Sequence, residues 1–390
     1  MSVFIPLYGQ HDTIRIGEII ISSRQIPSEI PGFKRITIDS MFQETYGHLS
    51  FSELLSECSP LFIKSYGYGG AATTSFRGTG ASHTQVTWNG MNINSPMLGQ
   101  SDFSLLNPAI LDNVELSFGG ASSYIGPGGF GGTVSLENKP VWKTNPEIHL
   151  NTGAGSFGRY SGSLRIRAGN NVFQTVTRVF LNQAENNFPY LNNVAGHESL
   201  WEKRKNNQLK QKSFMEEIYH KKASGLISAM LWYSSTSRNL PGSMLVAQTS
   251  PDEDQYDESF RSIIGYESEK GNTSFFARGS WMNTTLNYTS RVASIYSENI
   301  ANTFAFRGGF EKKIRNSTSL NVTFTDEYNL VSSNNYSRII SRNYTSLTVS
   351  VNKKSGNRFG SSLLLRQMLD GNSFLVPDFS AGIEDRKSVV

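Results

Sequence analysis

Leu320-Asn-Val-Thr-Phe-Thr-Asp326 places Leu320, Val322 and Phe324 at every second position, with polar residues between them. Period two is the repeat of a β-strand, and it gives one apolar and one polar face. Leu347-Thr-Val-Ser-Val-Asn352 and Leu164-Arg-Ile-Arg-Ala168 repeat the pattern. Working outward from them, residues 146–384 read as a train of roughly eleven such strands, between 147 and 369. The connections are sorted. Tight links at Gly169-Asn-Asn171, Lys222-Ala-Ser224, Ser268–Asn272, Ile314–Ser317 and Lys353–Asn357 alternate with longer ones at 185–208, 236–256, 288–301 and 330–343. An outer-membrane barrel does this, with short turns on one side of the bilayer and long loops on the other, and a soluble sandwich has no reason to.

Composition agrees. Only 17% of residues are charged and 12% are aromatic, with 35 Gly. The lack of any run of about 20 apolar residues excludes a helical membrane protein. The 24 Phe, 16 Tyr and 5 Trp must pack somewhere, which argues against disorder. A net charge of +4, with Lys and Arg scattered along the chain, implies no nucleic-acid partner. The one cysteine, Cys58, excludes a disulfide framework; it sits in apolar Leu54-Leu-Ser-Glu-Cys-Ser-Pro-Leu61 and reads as an inert thiol. No Ser-His-Asp order, HExxH or nucleophile elbow occurs, so no enzyme is expected and no catalytic residue is named.

The two ends read as processing features. Residues 1–11, apolar from Val3 to Tyr8 and closing on Gly9-Gln10, resemble the tail of a secretory signal. Asp385-Arg-Lys-Ser-Val-Val390 resembles translated adaptor sequence, which puts the native end of this stretch near Glu384.

Residues 12–140 follow a different grammar, joined to the strand train by Asn138–Pro146. Short strands alternate with glycine-rich turns, and Phe51-Ser-Glu-Leu-Leu55 starts a helix with Ser50 or Ser52 as its cap. Four stretches occur in a fixed order: Ser75-Phe-Arg77-Gly78-Thr-Gly80, Thr87-Trp-Asn89-Gly90-Met-Asn92, Asp112-Asn-Val-Glu115-Leu116 and Tyr124–Leu136, the last containing Gly131 and Gly132. Gly119 closes the third stretch. Together they resemble the plug domain of TonB-dependent outer-membrane receptors. Asn89 stands where that family usually has Asp, a mild change because Asn-Gly also suits a tight hairpin turn. Gly99–Pro108 and Asn186-Asn-Phe-Pro-Tyr190 look most like the vitamin B12-type receptors and their siderophore relatives in Bacteroidetes-like bacteria.

The resemblance implies a mixed α+β plug domain over 24–140, followed by an antiparallel transmembrane β-barrel over 146–384. That barrel is incomplete here, since plugged transporters have about 22 strands. It implies a TonB box at 12–23, carried by Thr13, Ile14, Arg15, Ile16, Gly17, Glu18, Ile19, Ile20 and Ile21. An alternating apolar segment at a free terminus can add to the edge of a partner's sheet. The expected partners are TonB with its inner-membrane motor, outer-membrane lipid and a small-molecule nutrient; the expected place is the outer membrane of a Gram-negative cell. Substrate is expected at the plug apex, on Tyr66, Tyr68, Thr73 and Thr74 in one loop and Met91, Asn92, Ser95, Met97 and Gln100 in another. No cofactor is required. The acidic run 252–258, placed in a long external loop, makes Asp252, Asp254 and Asp257 candidates for a structural Ca²⁺, a hard cation that takes oxygen ligands. The rival readings are a passive or structural outer-membrane barrel, which needs no plug, and a soluble carbohydrate-active β protein, which leaves the sorted connections unexplained.

Overall fold

The computed structural model describes residues 34–38, 49–119, 124, 126, 128–193, 200–222, 225–242, 253–315, 317–355 and 359–383. The first part contains β1 (Lys34–Ile38), α1 (Phe51–Cys58), β2 (Phe62–Ser65), β3 (Ala72–Ser75), β4 (Thr84–Trp88), β5 (Met91–Asn92), β6 (Asn113–Phe118) and β7 (Gly132–Glu137). Five of these strands form one sheet in the order β1-β6-β7-β4-β5, antiparallel except for β4 beside β7. Every residue of β4 is buried, so a continuous mixed run replaces the half-buried alternation of the later strands. α1 begins at a capping box: the Ser50 amide donates to Glu53 Oε2 at 2.8 Å, and the Glu53 amide donates to Ser50 Oγ at 3.3 Å. Its apolar stripe, Phe51, Leu54 and Leu55, is fully buried, and Phe51 stacks on Phe103 at 5.8 Å. Asn89 (φ 42°) and Gly90 (φ 89°) both take positive φ, which lets β4 return as β5 through a two-residue turn.

The second part is one sheet of twelve strands in which sequence neighbours pair antiparallel. They are β8 (Glu147–Gly155), β9 (Arg159–Gly169) and β10 (Phe173–Ala184), then, after the small hairpin β11 (Pro189–Asn192) and β12 (Leu200–Lys203), β13 (Leu209–Lys222) and β14 (Gly225–Leu240). There follow β15 (Glu253–Lys270), β16 (Thr273–Ser290), β17 (Ile295–Arg315), β18 (Thr318–Ser333), β19 (Ile340–Ser355), β20 (Phe359–Asp370) and β21 (Asn372–Ile383). The twelfth strand, β21, goes beyond the expected count of about eleven. Pro377 and Asp378 interrupt its alternation, and β21 lies at the sheet's edge, where a residue without an N–H is tolerated.

Three of the long connections are shorter than expected, 236–256 among them because β14 runs on to Leu240 and β15 starts at Glu253. β16 continues to Ser290 and β17 starts at Ile295; β18 continues to Ser333 and β19 starts at Ile340. Asn, Ser and Tyr residues break up the apolar positions in these stretches, so the alternation fades while the backbone ladder continues. β17 reaches 21 residues, twice the 9–11 or so that cross a bilayer. The acidic run is also strand: β15 begins at Glu253. On the opposite rim the links are uniformly tight, with β16 resuming two residues after β15.

The sheet's two faces differ. One exposes Phe214, Ile218, Ile264, Trp281, Phe304, Phe324, Leu347 and Leu365, the apolar band a lipid-facing barrel wall requires. The other turns Val176, Met215, Tyr219, Met230, Trp232 and Met282 inward, where they join a single core with Trp88, Met91, Leu116 and Val134 of the first domain. The mixed domain is therefore seated on the inner face of the wall.

Candidate functional site

Two loops of the plug reach the rim that carries the long connections. The first, 66–70, is held by Tyr68. Its hydroxyl donates to Asn182 Oδ1 at 3.0 Å, its carbonyl accepts from Asn186 Nδ2 at 3.0 Å, and the Arg159 guanidinium lies 3.9 Å from its ring centre. Burial pushes the Tyr68 phenol above its ordinary pKa. The neighbouring Gly69 (φ +85°) lies so close to Leu209 that a Cβ would meet that side chain at 3.1 Å. The second loop, 92–104, is shaped by Asn94, which accepts from the Val86 amide (3.0 Å) and donates to the Thr84 carbonyl (2.9 Å). The Ser95 amide donates to the Gln100 carbonyl at 3.0 Å and closes the loop.

Asp102 joins the two loops to the wall. It accepts from the Ala72 amide at 2.9 Å, from the Ser104 amide at 2.9 Å and from Arg238 Nη2 at 2.8 Å. Arg238 also donates to Ser104 Oγ (2.9 Å) and lies 3.5 Å from Asp257. Neither Asp102 nor Arg238 was legible as a pair, because 136 residues separate them.

The expected apex residues divide. Thr74 and Met91 are each 2% exposed and belong to the plug's interior. Tyr68 is bound to the wall. Tyr66 is 69% exposed with the Lys64 ammonium 5.2 Å over its ring; Thr73, Asn92, Ser95, Met97 and Gln100 are half-buried. Asn92 donates to Glu327 on β18 at 3.4 Å. Of the expected set, Tyr66, Thr73, Asn92, Ser95, Met97 and Gln100 therefore remain accessible on the two loops.

The motif residues are architectural. Arg77 (φ 50°), Gly78 (φ 79°) and Gly119 (φ 86°) sit in turns of positive φ. A Cβ on Gly132 would stand 2.5 Å from the Phe76 ring and 2.7 Å from the Ser117 carbonyl, and one on Gly131 would stand 3.2 Å from the His83 carbonyl. Glu115 faces Arg35 at 3.9 Å.

Deeper in the lumen the plug is bonded to the wall through buried charge. Arg178 bridges Asp112 and Glu217; Tyr219 and Asn138 also donate to Glu217, at 2.7 and 3.2 Å; and Trp88 Nε1 donates to Asn138 at 3.0 Å. Arg307 donates to two plug carbonyls, Gly90 at 3.2 Å and Tyr124 at 3.0 Å.

The acidic run does not converge. Asp254 pairs with Arg291 at 3.1 Å, whereas Asp257 is buried beside Gln255 and Arg238; an odd spacing on a strand sends the two to opposite faces. Asp252 lies outside the described residues, among which no group of three His, Cys, Asp or Glu gathers. The TonB-box segment, Thr13 to Ile21, also lies outside them.

Residues 34–133 match the family model of the TonB-dependent Receptor Plug Domain. A vitamin B12 transporter, BtuB, of Photobacterium profundum is 32% identical over 112 residues, which is 28% of this chain and 18% of that protein. Among solved structures, the siderophore receptor PirA of Acinetobacter baumannii aligns with a TM-score of 0.70 at 12% identity, over 90% of this chain and 59% of its own. The ferric enterobactin receptor PfeA of Pseudomonas aeruginosa gives 0.70 at 12%, over 93% and 61%; the copper transporter OprC gives 0.68 at 14%, over 92% and 61%. The chain thus spans about three fifths of the solved structures it matches, and identities this low speak for the fold. Residues 34–133 therefore carry a TonB-dependent Receptor Plug Domain, and the twelve-stranded antiparallel sheet that follows shares its fold with these solved structures.

Proposed function

We propose that this chain is the plug and adjoining wall of a TonB-dependent outer-membrane receptor, which takes up a scarce nutrient too large for diffusion pores. The similar proteins are named for vitamin B12, siderophores and copper, and cobalamin or an iron–siderophore complex is the ligand class we propose. The observation that carries this reading is the seating of the plug: its apical loops are bonded to the wall at Asn182 and Arg238, and its core is continuous with the wall's inner face. A passive pore needs an open lumen, and an adhesin needs no plug.

In this reading the ligand settles on Tyr66, Thr73, Asn92, Ser95, Met97 and Gln100 beneath the external loops. TonB pairs with the segment from Thr13 to Ile21 by strand addition, and force drawn from the inner-membrane proton gradient shifts the plug. No bond in the ligand is made or broken. Uptake of labelled cobalamin and of a labelled ferric siderophore by cells expressing the receptor, with and without residues 12–22, tests it. Energised uptake of one of them that is lost on the deletion is expected; uptake indifferent to the deletion removes the reading.

A further inference from the structure

We propose that Arg261 is an anion-binding position on the seam between plug and wall, taking a carboxylate or phosphate group carried by the transported ligand. The proposal rests on the transport reading above. Several inward arginines of the wall have a carboxylate, and Arg366 donates to the Thr348 hydroxyl at 2.9 Å. Arg167 pairs with Glu147 at 2.6 Å, Arg178 with Asp112 and Glu217, Arg238 with Asp102, and Arg278 with Glu267. Arg307 lacks one but spends its fork on two plug carbonyls. Arg261, on β15 and only 8% exposed, has neither: Nε and Nη1 are buried without a hydrogen-bond partner, and it makes no ion pair among the described residues.

What Arg261 does have is a platform. Its guanidinium lies 4.5 Å from the Trp232 ring centre, and Trp232 meets the plug's Trp88 edge-on at 5.3 Å. The ring holds the guanidinium through a cation–π contact and leaves the donors in its plane unspent. Above it the wall is polar, with Ser234 and Ser259 hydroxyls bonded to each other at 2.7 Å; Met282 stands directly across from it on β16, and below it Ile263 and Met230 belong to the shared core. Leaving buried donors unmade is costly. A planar, pre-oriented fork matches two oxygens of a carboxylate or phosphate better than it matches any neutral group. Trp88 belongs to the plug and Trp232 to the wall, so the two indoles span the seam beside the guanidinium.

Trp232 and Trp88 supply the readout. The purified protein in detergent is titrated with citrate and, separately, inorganic phosphate, against sodium chloride at equal ionic strength, while tryptophan fluorescence is followed. Wild type should respond saturably to citrate or phosphate and not to chloride. Arg261→Gln should raise the midpoint about ten-fold or more, the scale of a lost charged hydrogen-bond pair. Arg261→Lys, which keeps the charge without the fork, should fall between them. A wild-type response no different from chloride overturns the proposal whatever the variants do, and so does a midpoint unmoved in Arg261→Gln. Energised uptake without an anion response would remove this site and leave transport standing; a saturable anion response without energised uptake would do the reverse.

Discussion

Arg178 donates to both carboxylate oxygens of Asp112, at 2.8 and 2.7 Å, while its Nε donates to Glu217 at 2.6 Å. One guanidinium on the wall therefore joins a plug carboxylate to a second strand of the wall. The Arg178 side chain is 1% exposed and that of Glu217 is 0%. At that depth the arrangement is strong as a set and weak in pieces. Removing one member strands a charge, which costs about 3–5 kcal/mol, whereas an apolar replacement of the whole set is often neutral. Asp112→Ala should lower the temperature at which the plug becomes protease-sensitive, and adding Arg178→Met and Glu217→Leu should recover part of that loss. A melting series of the three proteins in detergent checks it.

Asp102 and Arg238 should be energetically coupled, because Asp102 also accepts from the Ala72 and Ser104 amides and so shapes both apical loops. A double-mutant cycle with Asp102→Asn and Arg238→Gln should give an interaction energy of about 1–3 kcal/mol in stability. Additive effects in thermal melts would show that the two loops are held independently.

The apex divides into accessible residues, proposed to meet the ligand, and buried residues that hold the plug together, and substitution should separate them. Tyr66→Ala and Gln100→Ala should weaken ligand binding while changing stability by no more than about 0.5 kcal/mol, as surface changes usually do. Met91→Ala, at a position 2% exposed, should cost about 2–5 kcal/mol of stability. Binding isotherms and melts on the same preparations distinguish the two classes.

Cys58 should be a slow nucleophile. Burial, aided by the neighbouring Glu57 charge, pushes its thiol above the ordinary value, so less thiolate exists at any given pH. Maleimide labelling near pH 7.5 should run several-fold slower than for a free thiol and quicken as pH rises. Labelling as fast as glutathione's would contradict that environment.

The sequence was most legible where one local rule decided the outcome. Asn89-Gly90 specified its turn, Ser50 and Ser52 marked the start of α1 with the structure choosing Ser50, and the alternation around Leu320 specified β18. It was less so where the ladder outran the hydrophobic pattern. The start of β17, residues 295–301, does not alternate cleanly and reads as loop, and Pro377 disguises β21 although an edge strand accommodates it. The acidic run reads as a loop because charge usually marks solvent, yet Asp257 turns inward to Arg238. Site contacts were the least accessible. Tyr68 with Asn182, and Arg178 with Asp112, are chosen by how the plug seats in the wall, and nothing in either neighbourhood announces the partner.

Arg307 holds the plug by its main chain alone, through the carbonyls of Gly90 and Tyr124. A grip of that kind is indifferent to which side chains the plug displays and sensitive to the path its backbone follows. Two segments distant in sequence are pinned to one point on the wall, and a displacement of about an ångström lengthens both bonds beyond hydrogen-bonding range. Arg307 thus acts as a gauge of plug position: it tolerates drift in composition and registers any change of course.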